Sequence, residues 1–120
     1  MAFIPYTETR IGETQAAIVS WFNMSDGDEG DTYTLSPFFT NKSVQVIGPF
    51  GPSGRIEVEG SNAPQPQNGD WLTLHNRRGS NLSFTTKVIE EVEEHVRHIR
   101  PRVDKGQGLT VHMLFTSSRR

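Results

Sequence analysis

The sequence predicts an all-β protein: an antiparallel β-sandwich of jelly-roll or immunoglobulin-like type, with one short helix at most. Two observations predict it. Short segments alternate apolar and polar residues with period 2, as a half-buried strand requires. Between them lie clusters of Gly, Pro, Asn and Asp, spaced as in sandwiches and small barrels.

Taken in order, residues 1–14 read as an N-terminal arm. Phe3, Ile4 and Tyr6 are apolar but precede any clear strand, and Pro5 suits an extended backbone. Such an arm must be covered by its own domain or by a neighbour. Residues 15–120 read as a single sandwich domain. Gln15 to Asn23 forms its first strand, with Trp21 and Phe22 as bulky core or interface candidates, and Tyr33 to Leu35 forms a short one. Val44 and Val46 share a face, as do Ile56 and Val58 with Glu57 and Glu59 opposite. Leu72 with Leu74 and Leu82 with Phe84 repeat the pattern, and Leu109, Val111, Met113 and Phe115 oppose Thr110, His112, Leu114 and Thr116. Ile99 and Val103 share a face around Pro101, whose missing N–H suggests an edge or a strand end. The rhythm breaks at Lys87 to Glu94. There Val88, Ile89 and Val92 stand at i, i+1 and i+4 with glutamates opposite, the spacing of a short helix or crossover, although valine and isoleucine also favour a strand. The remaining stretches at 25–31, 48–54, 61–70, 76–80 and 104–108 are turns.

Composition bounds the function. A chain of 120 residues suits one domain with its own core. It has no cysteine, which excludes disulfides, thiolate metal sites and cysteine nucleophiles. A net charge of −2 from 12 basic and 14 acidic residues does not favour nucleic acid or anionic lipid as a partner. No apolar run approaches the ~20 residues of a membrane span. The first residues lack a basic region followed by a long apolar stretch, so no secretory signal is expected.

No catalytic constellation stands out. Asp26, Asp28 and Asp31 in the glycine-rich turn are candidate calcium ligands. Counting from Asp26, however, position six is Asp31 and position twelve is Pro37, where an EF-hand needs glycine and glutamate. A solvated turn is the simpler reading. His95 and His98, three apart in a segment read as strand, fall on opposite faces and make no zinc pair. No serine sits in a Gly-x-Ser-x-Gly elbow, and Gly48 to Gly54 has prolines where a phosphate loop needs backbone donors. No cofactor is expected. The basic residues Arg97, Arg100, Arg102 and Lys105 lack interleaved aromatics, so they are expected to pair with Glu90 to Glu94 or with an acidic partner. Trp21 and Trp71 leave open a carbohydrate-binding module that stacks sugars on aromatic faces.

The segments Ile56-Glu57-Val58-Glu59-Gly60-Ser61-Asn62, Asp70-Trp71-Leu72-Thr73-Leu74, Ile99-Arg100-Pro101-Arg102-Val103 and Leu109-Thr110-Val111 together form a longer pattern. It resembles small β-sandwich structural proteins of tailed bacteriophages, over about the C-terminal two-thirds of the chain. The motifs are mainly strand-and-turn grammar, and the proline-rich stretch Asn62 to Gly69 replaces a shorter turn. The resemblance implies a non-enzymatic virion protein, assembled in the host cytoplasm. It implies a capsid decoration (cement) protein bound to the major capsid protein, or a head-to-tail component, with a homotrimer as the expected oligomer. The partner-binding candidates are Phe3, Ile4, Tyr6, Arg97, Arg100 and Arg102. If the arm docks on a neighbour, removing residues 1–6 should weaken particle binding and leave the sandwich folded.

Overall fold

The computed structural model describes residues 2–12 and 16–117. They form two packed sheets. The larger, seven-stranded sheet holds β1 (Phe3–Ile4), β4 (Glu29–Gly30), β5 (Tyr33–Thr34), β7 (Arg55–Ser61), β8 (Leu72–Thr73), β9 (Ser83–Phe84) and β11 (His98–Lys105). The smaller, five-stranded sheet holds β2 (Tyr6–Ile11), β3 (Ala16–Met24), β6 (Asn41–Ile47), β10 (Val88–Glu91) and β12 (Leu109–Thr116), in the order β10-β6-β12-β3-β2. The pairings are antiparallel apart from β1 with β4. A single 3-10 turn covers Asn68–Asp70.

Alternation decides what is buried. Val44 and Val46 of β6, Ile56 and Val58 of β7, and Leu109, Val111, Met113 and Phe115 of β12 are all sealed between the sheets. Ala17, Val19 and Trp21 of β3 and Ile99 and Val103 of β11 complete the centre. Each of the buried Val, Ile, Leu, Met and Phe side chains contributes roughly 1.5–3 kcal/mol when removed from water.

Four sequence expectations change. The helix expected at 87–94 is strand β10, paired with β6 from Val88↔Val46 to Glu91↔Ser43. Val88 packs on the core, Ile89 faces solvent, and Val92 is buried only after the chain has left the strand. Helical spacing therefore arose from period 2 plus a departure, while a free edge on β6 captured the segment.

Pro101 is central, not peripheral. It lies opposite Val58 in the long β11–β7 ladder. Val103 donates its amide to Asp28 O on the other side, so Pro101, two residues earlier, turns its nitrogen to that same side. There the partners are only the short β4 and β5, and the missing donor falls between them. Gly30 makes the room: a Cβ there would stand 2.6 Å from Pro101 Cδ and 2.7 Å from Trp21 Nε1.

Of the segment read as an arm, residues 2–12 are described, and they belong to the sandwich, while residues 1, 13 and 14 lie outside the described residues. β2 pairs with β3 along its length, from Tyr6↔Trp21 to Ile11↔Ala16. Ile4 packs on the core, and the Tyr6 ring meets Trp21 and Tyr33 edge-on at 6.0 and 5.4 Å. The Tyr33 hydroxyl donates to Glu8 at 2.6 Å, and Arg10 lies 5.5 Å over the Phe39 ring. Burial first, then the Glu8 carboxylate, pushes the Tyr33 phenol well above its ordinary range.

Finally, Leu72 and Leu74 do not share a buried face. Leu74 is buried, but Leu72 is among the most exposed apolar side chains, because β8 ends at Thr73 before alternation can place both.

Candidate functional site

The two outer faces of the sandwich differ in kind. On the larger sheet, strand register sets Arg100 opposite Glu59 and Arg102 opposite both Glu57 and Glu29. These opposed charges close on themselves. Arg100 Nε donates to Glu59 at 3.1 Å and its Nη1 lies 3.4 Å from Glu29. Arg102 donates to Glu57 at 2.8 Å and to Glu59 at 3.1 Å. Trp71 covers the group, with its ring centre 4.1 Å from the Arg100 guanidinium. Burial acts to lower the Arg102 pKa, but Glu59 and Glu57 outweigh it and raise it. A face whose charges are already satisfied offers little to a partner.

Among the described residues the outer face of the smaller sheet has no such network. Register places Thr7, Ser20, His112, Gln45 and Ile89 in one row across all strands, and Thr9, Ile18, Leu114, Ser43 and Glu91 in the next. From β2 to β6 these rows carry no carboxylate, lysine or arginine. The first is Glu91 on the margin, and Arg77 neutralises it at 2.8 Å. Phe22 is 51% exposed, Ile89 65% and Leu114 39%. Phe22 is held outward by a bulge: Leu109 pairs with Met24 but Val111 with Trp21, and Asn23 takes φ 58° to absorb the extra residue. A shallow depression of about 540 Å³ runs between Ile18, Gln45, Ile89, His112 and Leu114.

His112 sits at the centre. Its Nδ1 is 2.6 Å from Ser20 Oγ, and Phe22 meets the ring edge-on at 5.7 Å. No carboxylate bonds the imidazole among the described residues, so the pair lacks the orienting acid of a hydrolytic triad. What the arrangement does is pair His112 Nδ1 with Ser20 Oγ in the middle of the face and set the His112 and Phe22 rings against each other.

The residues singled out from sequence fall elsewhere. Of the proposed docking residues, Phe3 stays 61% exposed, Ile4 is packed inward, and Tyr6 rests on two rings. Arg100 is enclosed by its ion pairs, Arg102 is half-buried in the same network, and Arg97 is exposed beside a cavity between the sheets. The expected pairing of these arginines with Glu90 to Glu94 does not form. Those acids are held locally, Glu90 by Asn76, Glu91 by Arg77 and Glu94 by His75.

The acidic turn is built as a turn. Asp28 accepts from Ala2 N at 2.9 Å and Ser25 N at 2.8 Å, and Asp26 accepts from Gly106 N at 2.6 Å. These carboxylates are spent on separate backbone amides, and the backbone carbonyl of Asp31 accepts from Trp21 Nε1. Among the described residues no three His, Asp or Glu side chains are grouped to hold a metal ion. His98 is buried against Thr34, while His95 lies outside the strand. For sugar stacking, Trp21 is sealed in the core and Trp71 carries Arg100 on a ring face.

The fold and its open sheet face define a two-sheet β-sandwich of the jelly-roll kind. No protein-family profile matches the chain, and no curated protein matches it significantly. Among solved structures it is similar to the SPBc2 prophage-derived protein YomS, at 17% identity and a TM-score of 0.63 over 90% of this chain and 100% of that one. It is also similar to a cupin domain from Bordetella pertussis Tohama I, at 12% identity and a TM-score of 0.50 over 99% of each chain. At such identities the likeness is one of fold.

Proposed function

We propose that this chain is a non-enzymatic structural protein of a bacteriophage particle, a capsid decoration protein that seats the outer face of its smaller sheet on coat subunits. The observation that carries this reading is the contrast between the outer faces: one neutralises its own charges, the other is uncharged from β2 to β6 and leaves Phe22, Ile89 and Leu114 in water. Five strands ~4.8 Å apart and about seven residues long give a face of roughly 600 Å². That approaches the ~800 Å² each partner contributes to a standard interface. Core positions of interfaces are depleted in charge, as this face is from β2 to β6, and Phe22 supplies an exposed aromatic. The particle setting is supported by the sequence resemblance to phage structural proteins and by the fold shared with a prophage-derived protein.

In this reading the protein resides on the virion, bridges neighbouring coat subunits, and gathers as a trimer around threefold positions, where closed symmetry repeats one contact. It needs neither nucleic acid nor membrane as a partner. Electron cryomicroscopy of the parent particle tests this. The expected map shows the sandwich on the shell with β3, β6 and β12 toward the coat. Density at the neck or tail instead would replace decoration with a head-to-tail role, and a smaller sheet turned to solvent would remove the docking face.

A further inference from the structure

A cavity of about 510 Å³ opens at one end of the sandwich. Its apolar wall is Leu35, Pro37, Phe39 and Val96, and its charged lining is Lys42, His95 and Arg97, with no carboxylate among the lining residues. That imbalance is unusual in a chain with more acids than bases. Arg10, Arg77, Arg100 and Arg102 all pair with glutamates.

Lys42 is the informative residue. It precedes Val44 and Val46 in the inward phase of β6 and is only 5% exposed. Among the described residues it makes no ion pair, and its side chain donates to no partner. Lys42 lines the cavity, and the one fully buried side-chain polar atom without a partner among the described residues is His98 Nε2. A buried cation left unpaired destabilises a fold unless something compensates it. Burial lowers the Lys42 pKa, and Glu93 and Glu94 only partly oppose this. Glu94 is already engaged by His75, and neither acid lines the cavity.

We propose that this cavity binds a carboxylate carried on an apolar body. The carboxylate supplies the partner that Lys42 lacks, within reach of Arg97 and His95, and the body fills the wall made by Leu35, Phe39 and Val96. A bare inorganic ion would leave that wall empty. Pockets of this size with apolar walls and a few convergent polar groups suit small organic ligands. The carboxylate has two sources, a free organic acid or the C-terminal residue of a polypeptide with an apolar side chain. The site stands apart from the docking face and does not rest on it.

Amide-resolved NMR titration of the full chain tests it with three probes: 4-phenylbutyrate, a pentapeptide ending in leucine, and the same peptide amidated. The expected result is that an acid with a free carboxylate shifts the amides of Lys42, His95 and Arg97 together, while the amidated peptide does not. Tighter binding of the free-carboxylate peptide assigns the source to a polypeptide end, and tighter binding of phenylbutyrate to a free acid. Lys42→Met should weaken binding at least tenfold yet raise the melting temperature by roughly 2–6 °C, because it removes an unpaired buried charge. Arg97→Gln, at an exposed position, should weaken binding without affecting the fold. Equal binding of the amidated peptide, no clustered shifts with any probe, or unchanged affinity in both variants would overturn the proposal.

Discussion

The Arg100 guanidinium lies 4.1 Å from the centre of the Trp71 ring while its Nε holds Glu59 at 3.1 Å. A cation that alternation sets on the outside of a sheet is thereby enclosed, and its charge is used within the domain. This self-neutralised face is one half of the contrast on which the proposed docking role of the smaller sheet rests.

The network should be costly to break from its centre. Glu59 is 8% exposed and accepts from both Arg100 and Arg102. Glu59→Leu leaves Arg100 with Glu29 alone and Arg102 with Glu57 alone, and should lower stability by about 3 kcal/mol. Urea denaturation reads this as a lower midpoint at an unchanged slope. A loss below about 1 kcal/mol would mean that the pairs act as exposed surface bridges do.

Gly30 should be intolerant of a methyl group. Gly30→Ala drives a Cβ into the Pro101 ring and Trp21 Nε1, where overpacking costs about 1–3 kcal/mol. Pro101→Ala in the same chain should recover part of the loss, since it withdraws one of the two obstacles. Equal melting temperatures for the single and double variants would remove Pro101 from the explanation.

Acid should reveal the clasp between Glu94 and His75. Burial tends to raise the Glu94 carboxyl, but the His75 backbone amide and imidazole outweigh it and hold the pKa below the ordinary value. A depressed folded pKa stabilises above the unfolded value of about 4.3, and the gain is lost as pH falls through the folded one. Glu94→Gln should therefore melt below the unsubstituted protein at pH about 6, with the gap closing toward pH about 3. A gap that stayed constant across that range would contradict the linkage.

The N-terminal strands should matter for folding. Tyr6→Ala removes edge-to-face contacts with Trp21 and Tyr33, each worth about 0.5–1.5 kcal/mol. A chain lacking residues 1–6 should lose at least as much in thermal denaturation. A deletion that left the melting temperature unchanged would restore the picture of a free arm.

The sandwich was legible because its long strands alternate cleanly. Ile56 and Val58, and the four apolar residues of β12, are buried as their spacing requires. Where a strand is very short, alternation had too few residues to act: Leu72 of the two-residue β8 ended in water. Pro101 misled because its exclusion from central strands assumes a continuous neighbour, whereas here the neighbour is two fragments. Of the candidate site, His112 and Leu114 could be placed on an outer phase of β12, but that this face is uncharged throughout depends on which strands lie beside it. Lys42 carried a readable signal, a lysine in phase with Val44 and Val46, whose meaning needed the cavity beside it. Arg100 and Arg102 were expected to pair with Glu90 to Glu94 or with an outside acid, because their actual partners lie on β4 and β7, distant in sequence.

The proposed docking face is tested most directly by quantitative binding of the purified protein to undecorated particles, comparing the unsubstituted chain with Phe22→Asp and Leu114→Asp. Both side chains already face water, so each variant should fold and melt within a few degrees of the parent. The account expects affinity to fall at least tenfold in each. Full particle binding by both variants, with their folds intact, would contradict it.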